Sequence, residues 1–116
     1  MKFFAMMMGM ERTLTVNTIG KIGQEVLLKG WIHSRRDHGK IMFLDLRDRT
    51  GIVQMVSSKE LADARPEDVV EVMGPVKKRP ENMVNPKLKT GTIEVDVKNL
   101  TIVNKARELP FPIDTD

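Results

Sequence analysis

The strongest constraint on this 116-residue chain is its punctuation: from residue 25 to 103, short β-branched and aliphatic runs alternate with Gly, Pro and Asn clusters. Each run is long enough to bury one face of a strand and ends where the backbone must turn, the pattern of an all-β barrel or sandwich. Five runs stand out, at 25–35, 40–47, 51–57, 68–78 and 91–103. Turns are expected at Asp37-His38-Gly39 and Asp48-Arg49-Thr50-Gly51, with a long connection over 80–90. Only 58–64 reads as helical, with Ser58 as its cap, Glu60 in its first turn and Pro66 beyond its end.

Strand, strand, strand, helix, strand, strand is the order of an OB-fold, a five-stranded Greek-key barrel with one short helix between strands 3 and 4. Side chains alternate across a strand, so parity separates core from surface. In the second run Met42, Leu44 and Leu46 form the core set, and Ile41, Phe43, Asp45 and Arg47 take the opposite face. In the third, Val53 and Met55 point inward, leaving Ile52, Gln54 and Val56 beside Phe43. In the fifth, Ile93, Val95 and Val97 face in and Glu94 and Asp96 face out. The apolar phase then shifts at Leu100 and Ile102, which a bulge near Lys98-Asn99 would explain. Trp31 reads as a core or barrel-seam residue, with base stacking the lesser alternative.

With 41% hydrophobic and 30% charged residues, the chain has the composition of one folded domain and too little length for a second, nucleotide-activating one. It has no cysteine, which excludes disulfides, thiolate nucleophiles and Cys-held metals and makes the cytoplasm the default location. His33 and His38, taken with Asp37 or Asp48, match no recurrent metal spacing, so no metal site is expected. Asp45 and Asp48 have arginines beside them and read as ion-paired turn residues rather than a catalytic pair. The apolar opening MKFFAMMMGM is too short to span a bilayer, and residues 1–12 read as a disordered extension. Net charge is only +3, but Lys and Arg bunch around 33–40, 77–79 and 87–89.

An aromatic ring beside an amide and guanidinium groups is what recognition of single-stranded nucleic acid requires. Stacking, base-edge hydrogen bonding and phosphate neutralisation are separate tasks. Phe43 would stack, Gln54 would donate and accept at a base edge, and Arg35 and Arg36 would hold phosphates or a base. The plainer alternative makes Phe43 a cover for the barrel mouth, the arginines a solvated turn, and Lys77-Lys78-Arg79 a solvated strand end.

The run Gly30-Trp31-Ile32-His33-Ser34-Arg35-Arg36-Asp37-His38-Gly39-Lys40-Ile41-Met42-Phe43-Leu44-Asp45-Leu46-Arg47-Asp48-Arg49-Thr50-Gly51-Ile52-Val53-Gln54 closely resembles the first strands of bacterial-type aspartyl-tRNA synthetases. Arg79-Pro80-Glu81, Val84-Asn85-Pro86, Thr90-Gly91-Thr92-Ile93-Glu94-Val95 and Leu109-Pro110-Phe111 extend the resemblance over nearly everything after Thr13. It implies an N-terminal anticodon-binding domain, here at 13–108, followed from 109 by the start of a linker toward a class II catalytic domain. That parent would attach aspartate to tRNA with ATP and magnesium. The present chain would have no catalytic residue and no cofactor of its own. The resemblance also implies a homodimeric parent, a monomeric isolated domain and no membrane partner.

Carried over residue by residue, Phe43 matches the aromatic that stacks on the central uracil, Gln54 the amide that reads its edge, and Arg36 an anticodon-contacting arginine. Glu94 matches the carboxylate near the third base, where an acceptor takes the exocyclic amine of cytosine that uracil lacks. Arg79 and Asn85 lie in the loop that closes over the anticodon. Ser34 stands where many relatives carry an arginine, and Val56 where some carry a second aromatic. A His at position 38 resembles forms that accept both aspartate and asparagine tRNAs, whereas strict forms tend to have Leu; a solvent-exposed turn histidine is the other reading. Two further classes stay open, a freestanding single-strand-binding OB protein and a purely protein-binding barrel.

Overall fold

The computed structural model describes residues 10–61 and 63–105. A seven-residue 3-10 segment, Thr15–Lys21, precedes six strands: β1 (Glu25–His38), β2 (Ile41–Asp48), β3 (Gly51–Ser58), β4 (Val69–Lys78), β5 (Ile93–Asp96) and β6 (Asn99–Asn104). A second 3-10 turn, Glu81–Met83, lies in the β4–β5 connection.

The strands close into a ring because β1 is long enough to serve two neighbours. Its first half pairs antiparallel with β4, from Glu25↔Pro75 to Trp31↔Val69, and its second half pairs with β2, from Trp31↔Arg47 to His38↔Ile41. The handover is marked by a register shift between Ile32 and Ser34, which leaves His33 as a bulge. β2 and β3 form a hairpin, β3 runs parallel to β5, and β4 closes the barrel against both β5 and β1. β5 and β6 are the two halves of the fifth expected run. The chain leaves β3 after Val97, whose N–H still reaches Val56 C=O, and re-pairs with β4 from Asn99 onward. The phase shift expected near Lys98-Asn99 is therefore this bend.

Gly74 makes the bend possible. A Cβ at this position would collide with the carbonyl of Asp96 and crowd the N–H of Lys98. That N–H donates to Met73 C=O at 2.9 Å, so the chain crosses β4 in direct backbone contact. Inside the ring, Leu28, Ile32, Met42, Leu44, Leu46, Val53, Met55, Val72, Ile93 and Val95 are fully buried, as parity predicts for β2, β3 and β5.

Two expectations about these elements need correction. The stretch expected to be helical after β3 is a single turn, with Leu61 N–H donating to Ser58 C=O and Ser58 Oγ accepting from Glu60 N–H. The chain has no helix between β3 and β4 among the described residues, because Ala64 is drawn into the core and the Arg65 N–H already donates to Asp68. Asp48 has no ion pair among the described residues: it is buried and accepts four hydrogen bonds, from Thr15 N–H, Thr15 Oγ1, Thr50 N–H and Thr50 Oγ1. These bonds tie the first 3-10 segment to the β2–β3 hairpin. Burial pushes the Asp48 carboxyl up, but the bonds from Thr50 and Thr15 outweigh it and hold the group below the usual carboxylate range. Of the two places expected for Trp31, core or barrel seam, it takes the seam, between β2 and β4, and is 36% exposed.

Of the extension expected at 1–12, residues 1–9 lie outside the described residues. Arg12 is bridged to Leu27, and its guanidinium donates to Lys29 C=O. The segment from 109 onward also lies outside the described residues.

Candidate nucleic-acid interface

Register alone assembles the outer face of the barrel. Arg36 on β1 is paired with Phe43 on β2, and Phe43 with Val56 on β3. One row along, Ser34 faces Asp45, Asp45 faces Gln54, and Gln54 meets Glu94 on β5, which is paired with Lys77 on β4. Phe43 and Gln54 thus share one face on neighbouring strands, as parity requires.

The second row is a continuous polar chain. Ser34 Oγ donates to Asp45 Oδ2 at 2.6 Å, and the Arg36 guanidinium donates to both Asp45 oxygens and, at 3.1 Å, to Gln54 Oε1. Gln54 Nε2 donates to Glu94 Oε1 at 2.9 Å, and Lys77 Nζ stands 3.7 Å from Glu94 Oε2. Burial pushes the Asp45 carboxyl up, but the bonds from Arg36 and Ser34 and the charges of Arg36 and Arg79 prevail and keep it below its ordinary value. The acceptor-only carboxylate and donor-only guanidinium fix the orientation of the Gln54 amide. Glu94 is on the expected outer face but not exposed: at 4% exposure it is as covered as a core residue.

Phe43 is half-buried, with His38 packed against it edge-on, the ring centroids 5.2 Å apart at 89°. The loop between β4 and β5 closes one side. Arg79 is buried rather than part of a solvated strand end, with Nε donating to Ile93 C=O and Nη1 to Met83 C=O. Its Nη2 is a buried nitrogen with no hydrogen-bond partner among the described residues, on a guanidinium that feels the charges of Asp45 and Glu94. Burial lowers the Arg79 pKa, and the two carboxylates work against that fall. Asn85 shapes the loop: its side-chain oxygen accepts from Lys87 N–H, and its backbone N–H donates to Gly91 C=O. A Cβ on Gly91 would overlap Asn85 C=O, so the loop can fold this tightly only with glycine there.

The structure separates Arg35 from the other candidates. Arg35 pairs across the sheet with Leu44, on the core-side parity, and donates to Asp37, Asp63 and Ala64 C=O. The hydrogen bonds to Asp37 and Asp63 raise its pKa, and the guanidinium pins the β3–β4 connection instead of facing Phe43. Consecutive strand residues cannot share a face, so period two already distinguished Arg35 from Arg36. Ser34, Asp45 and Lys77 are the members of the polar row not singled out as binding residues. Asp45 is ion-paired with Arg36 across strands, not with its sequence neighbour Arg47.

The face combines a half-open ring, a fixed amide, a carboxylate and two guanidinium groups. Stacking and edge reading of one unpaired base are within its chemistry. The model of the tRNA anticodon family, described as an OB-fold nucleic acid binding domain, matches residues 26–103. Among similar curated proteins is an aspartate–tRNA(Asp/Asn) ligase of Caldanaerobacter subterraneus, 47% identical over 91% of this chain and 20% of its own length. An aspartate–tRNA ligase of Staphylococcus aureus is 47% identical over 82% of this chain and 18% of its own length. The chain therefore spans about a fifth of the length of these relatives. Among solved structures, an asparaginyl-tRNA synthetase from Pyrococcus horikoshii superposes with a TM-score of 0.67 at 29% identity, over 88% of this chain and 24% of that one. An aspartyl-tRNA synthetase from Entamoeba histolytica, 19% identical, shares the fold with a TM-score of 0.73, over 90% of this chain and 23% of that one. The chain belongs to the tRNA anticodon family of OB-fold nucleic-acid-binding domains, with its similar curated relatives among the aspartate–tRNA ligases.

Proposed function

We propose that this chain binds the anticodon loop of aspartate tRNA, as the N-terminal domain of a ligase that attaches aspartate to tRNA with ATP. The observation that carries this reading is the chain of bonds from Arg36 through Gln54 to Glu94, laid beside the half-buried ring of Phe43. Phe43 stacks on the central uracil, and Arg36 and Gln54 read its edge. Glu94 accepts from the exocyclic amine of a cytosine at the third position. Arg79 and Asn85 hold the closing loop. Arg35 acts on the RNA only indirectly, by holding the β3–β4 connection.

The domain spans residues 13–108, a linker begins at 109, and ATP and magnesium belong to a catalytic domain outside this chain. No step of the ligation is assigned to the present residues. The isolated domain is a monomer and the parent enzyme a homodimer. His38, packed against the stacking ring, is the candidate for relaxed discrimination between aspartate and asparagine tRNAs.

An NMR titration with two hairpins carrying the aspartate and asparagine anticodon triplets tests this reading. Shifts that include the face of Phe43 and Gln54 are expected, with affinities for the two hairpins within about 1 kcal/mol of each other and the aspartate loop the tighter. A strong preference for the aspartate loop would remove the relaxed-specificity role of His38 alone. Binding without any triplet dependence would favour a freestanding single-strand binder, and no binding would favour a protein-binding barrel.

A further inference from the structure

Beyond the row of Asp45 and Gln54, the same outer face continues to Arg47 and Ile52, which are register partners on β2 and β3. Here the sheet meets the β4–β5 loop and the first 3-10 segment in a concave pocket of about 230 Å³, with apolar walls from Val16, Ile52 and Leu88. Arg47, Lys87 and Lys89 line the same pocket.

These three cations differ from those of the polar row. Arg36 and Lys77 are each ion-paired, whereas the side chains of Arg47, Lys87 and Lys89 have no ion pair or hydrogen bond among the described residues. The one carboxylate of the adjoining hairpin turn, Asp48, is already saturated by Thr15 and Thr50. The loop carrying the lysines is held in place: Thr90 Oγ1 donates to Ile52 C=O, and Leu88 N–H and Gly91 N–H are bonded within the loop. Positive charge is thus gathered around an apolar hollow with no counter-ion among the described residues.

We propose that this pocket is a second nucleotide subsite, taking the phosphate and ribose of a nucleotide that flanks the base read at Phe43 and Gln54. The proposal rests on the anticodon-loop reading above. Two residues along a strand advance about 7 Å, so Arg47 is one such step beyond Asp45 and Gln54 along the face. An RNA strand leaving that row therefore reaches the pocket without turning. The phosphate oxygens meet the guanidinium and the two ammonium groups, and the sugar lies against Ile52 and Leu88. Trp31, the chain's single tryptophan, is paired with Arg47 and partly exposed, so it reports on occupancy.

The test uses the full 116-residue chain and a hairpin whose loop carries guanine, uracil and cytosine as its triplet. Binding is followed at several salt concentrations for the native protein, Lys87→Gln with Lys89→Gln, Arg47→Gln and Phe43→Ala. Removing one cation from a phosphate flattens the slope of log affinity against log salt by about 0.7. The lysine pair and Arg47→Gln should therefore both bind more weakly with shallower slopes, by the same factor for hairpins differing in the triplet. Phe43→Ala should weaken binding with the slope unchanged, and Trp31 fluorescence should respond to RNA in the native protein but not in Arg47→Gln. Thermal melts establish that each variant is folded. Unchanged slopes in the folded lysine and Arg47 variants, with native binding intact, would overturn the subsite and leave the anticodon reading standing. Absence of binding by the native protein would overturn both.

Discussion

Gln54 and Glu94 lie on parallel strands and share a 2.9 Å hydrogen bond from the amide nitrogen of one to the carboxylate of the other. Because Gln54 Oε1 also accepts from Arg36, both ends of the amide are held before any ligand arrives. An incoming base meets a fixed pattern of donors and acceptors rather than a free rotor, which lowers the ordering cost of binding.

Glu94→Gln is expected to keep the barrel folded and to erase the preference for cytosine over uracil at the third triplet position. A carboxylate only accepts, whereas an amide also donates and can serve uracil equally well. The loss should be about 1 kcal/mol of discrimination. Titration of two hairpins differing in that base alone measures it; a preserved preference would exclude Glu94 as the discriminating group.

Asp48→Asn should destabilise the fold by about 2 kcal/mol, since a buried carboxylate accepting four hydrogen bonds becomes a weaker acceptor with a misplaced donor. Urea unfolding at neutral pH reads this directly.

The same carboxylate, with Asp45, contributes to the loss of stability in acid. Both are held below the ordinary value of 3.8, so between the folded and unfolded pKa values the unfolded chain binds more protons. Their contribution to stability is complete above about pH 5 and fades as pH falls through 3.8 toward the lowered folded values. The urea midpoint should drop over that interval, with a smaller drop in Asp48→Asn; parallel curves would show that Asp48 does not contribute.

Gly74→Ala should cost about 1–3 kcal/mol, because its methyl group would force β4 away from the Asp96 carbonyl. Gly20→Ala is the control, since nothing lies within 4 Å of the added carbon. Equal melting temperatures for the two variants would contradict the close crossing of β4 by the β5–β6 bend.

The strand faces were legible in the sequence because period two is a backbone property: Met42, Leu44 and Leu46 had to oppose Phe43 and Asp45 once β2 formed. The bend after Val97 was legible for the same reason, as a break in phase. What parity does not report is whether a face is covered. Glu94 has the outward position expected of it, but the β4 neighbour and Gln54 bury it. The turn after β3 looked helical because Ser58, Glu60 and Pro66 satisfy local capping rules. Long-range interactions of Ala64 and Arg35 decide that stretch instead. Arg36 finding Asp45 rather than a sequence neighbour is likewise a consequence of register, which local charge patterns do not contain.

The most direct measurement is the affinity of a folded Phe43→Ala variant for the aspartate-triplet hairpin, set beside that of the native chain. Loss of the stacking platform should weaken binding by about 1–3 kcal/mol. A titration identical to that of the native chain would contradict the account, because the base would then be held somewhere other than between Phe43 and Gln54.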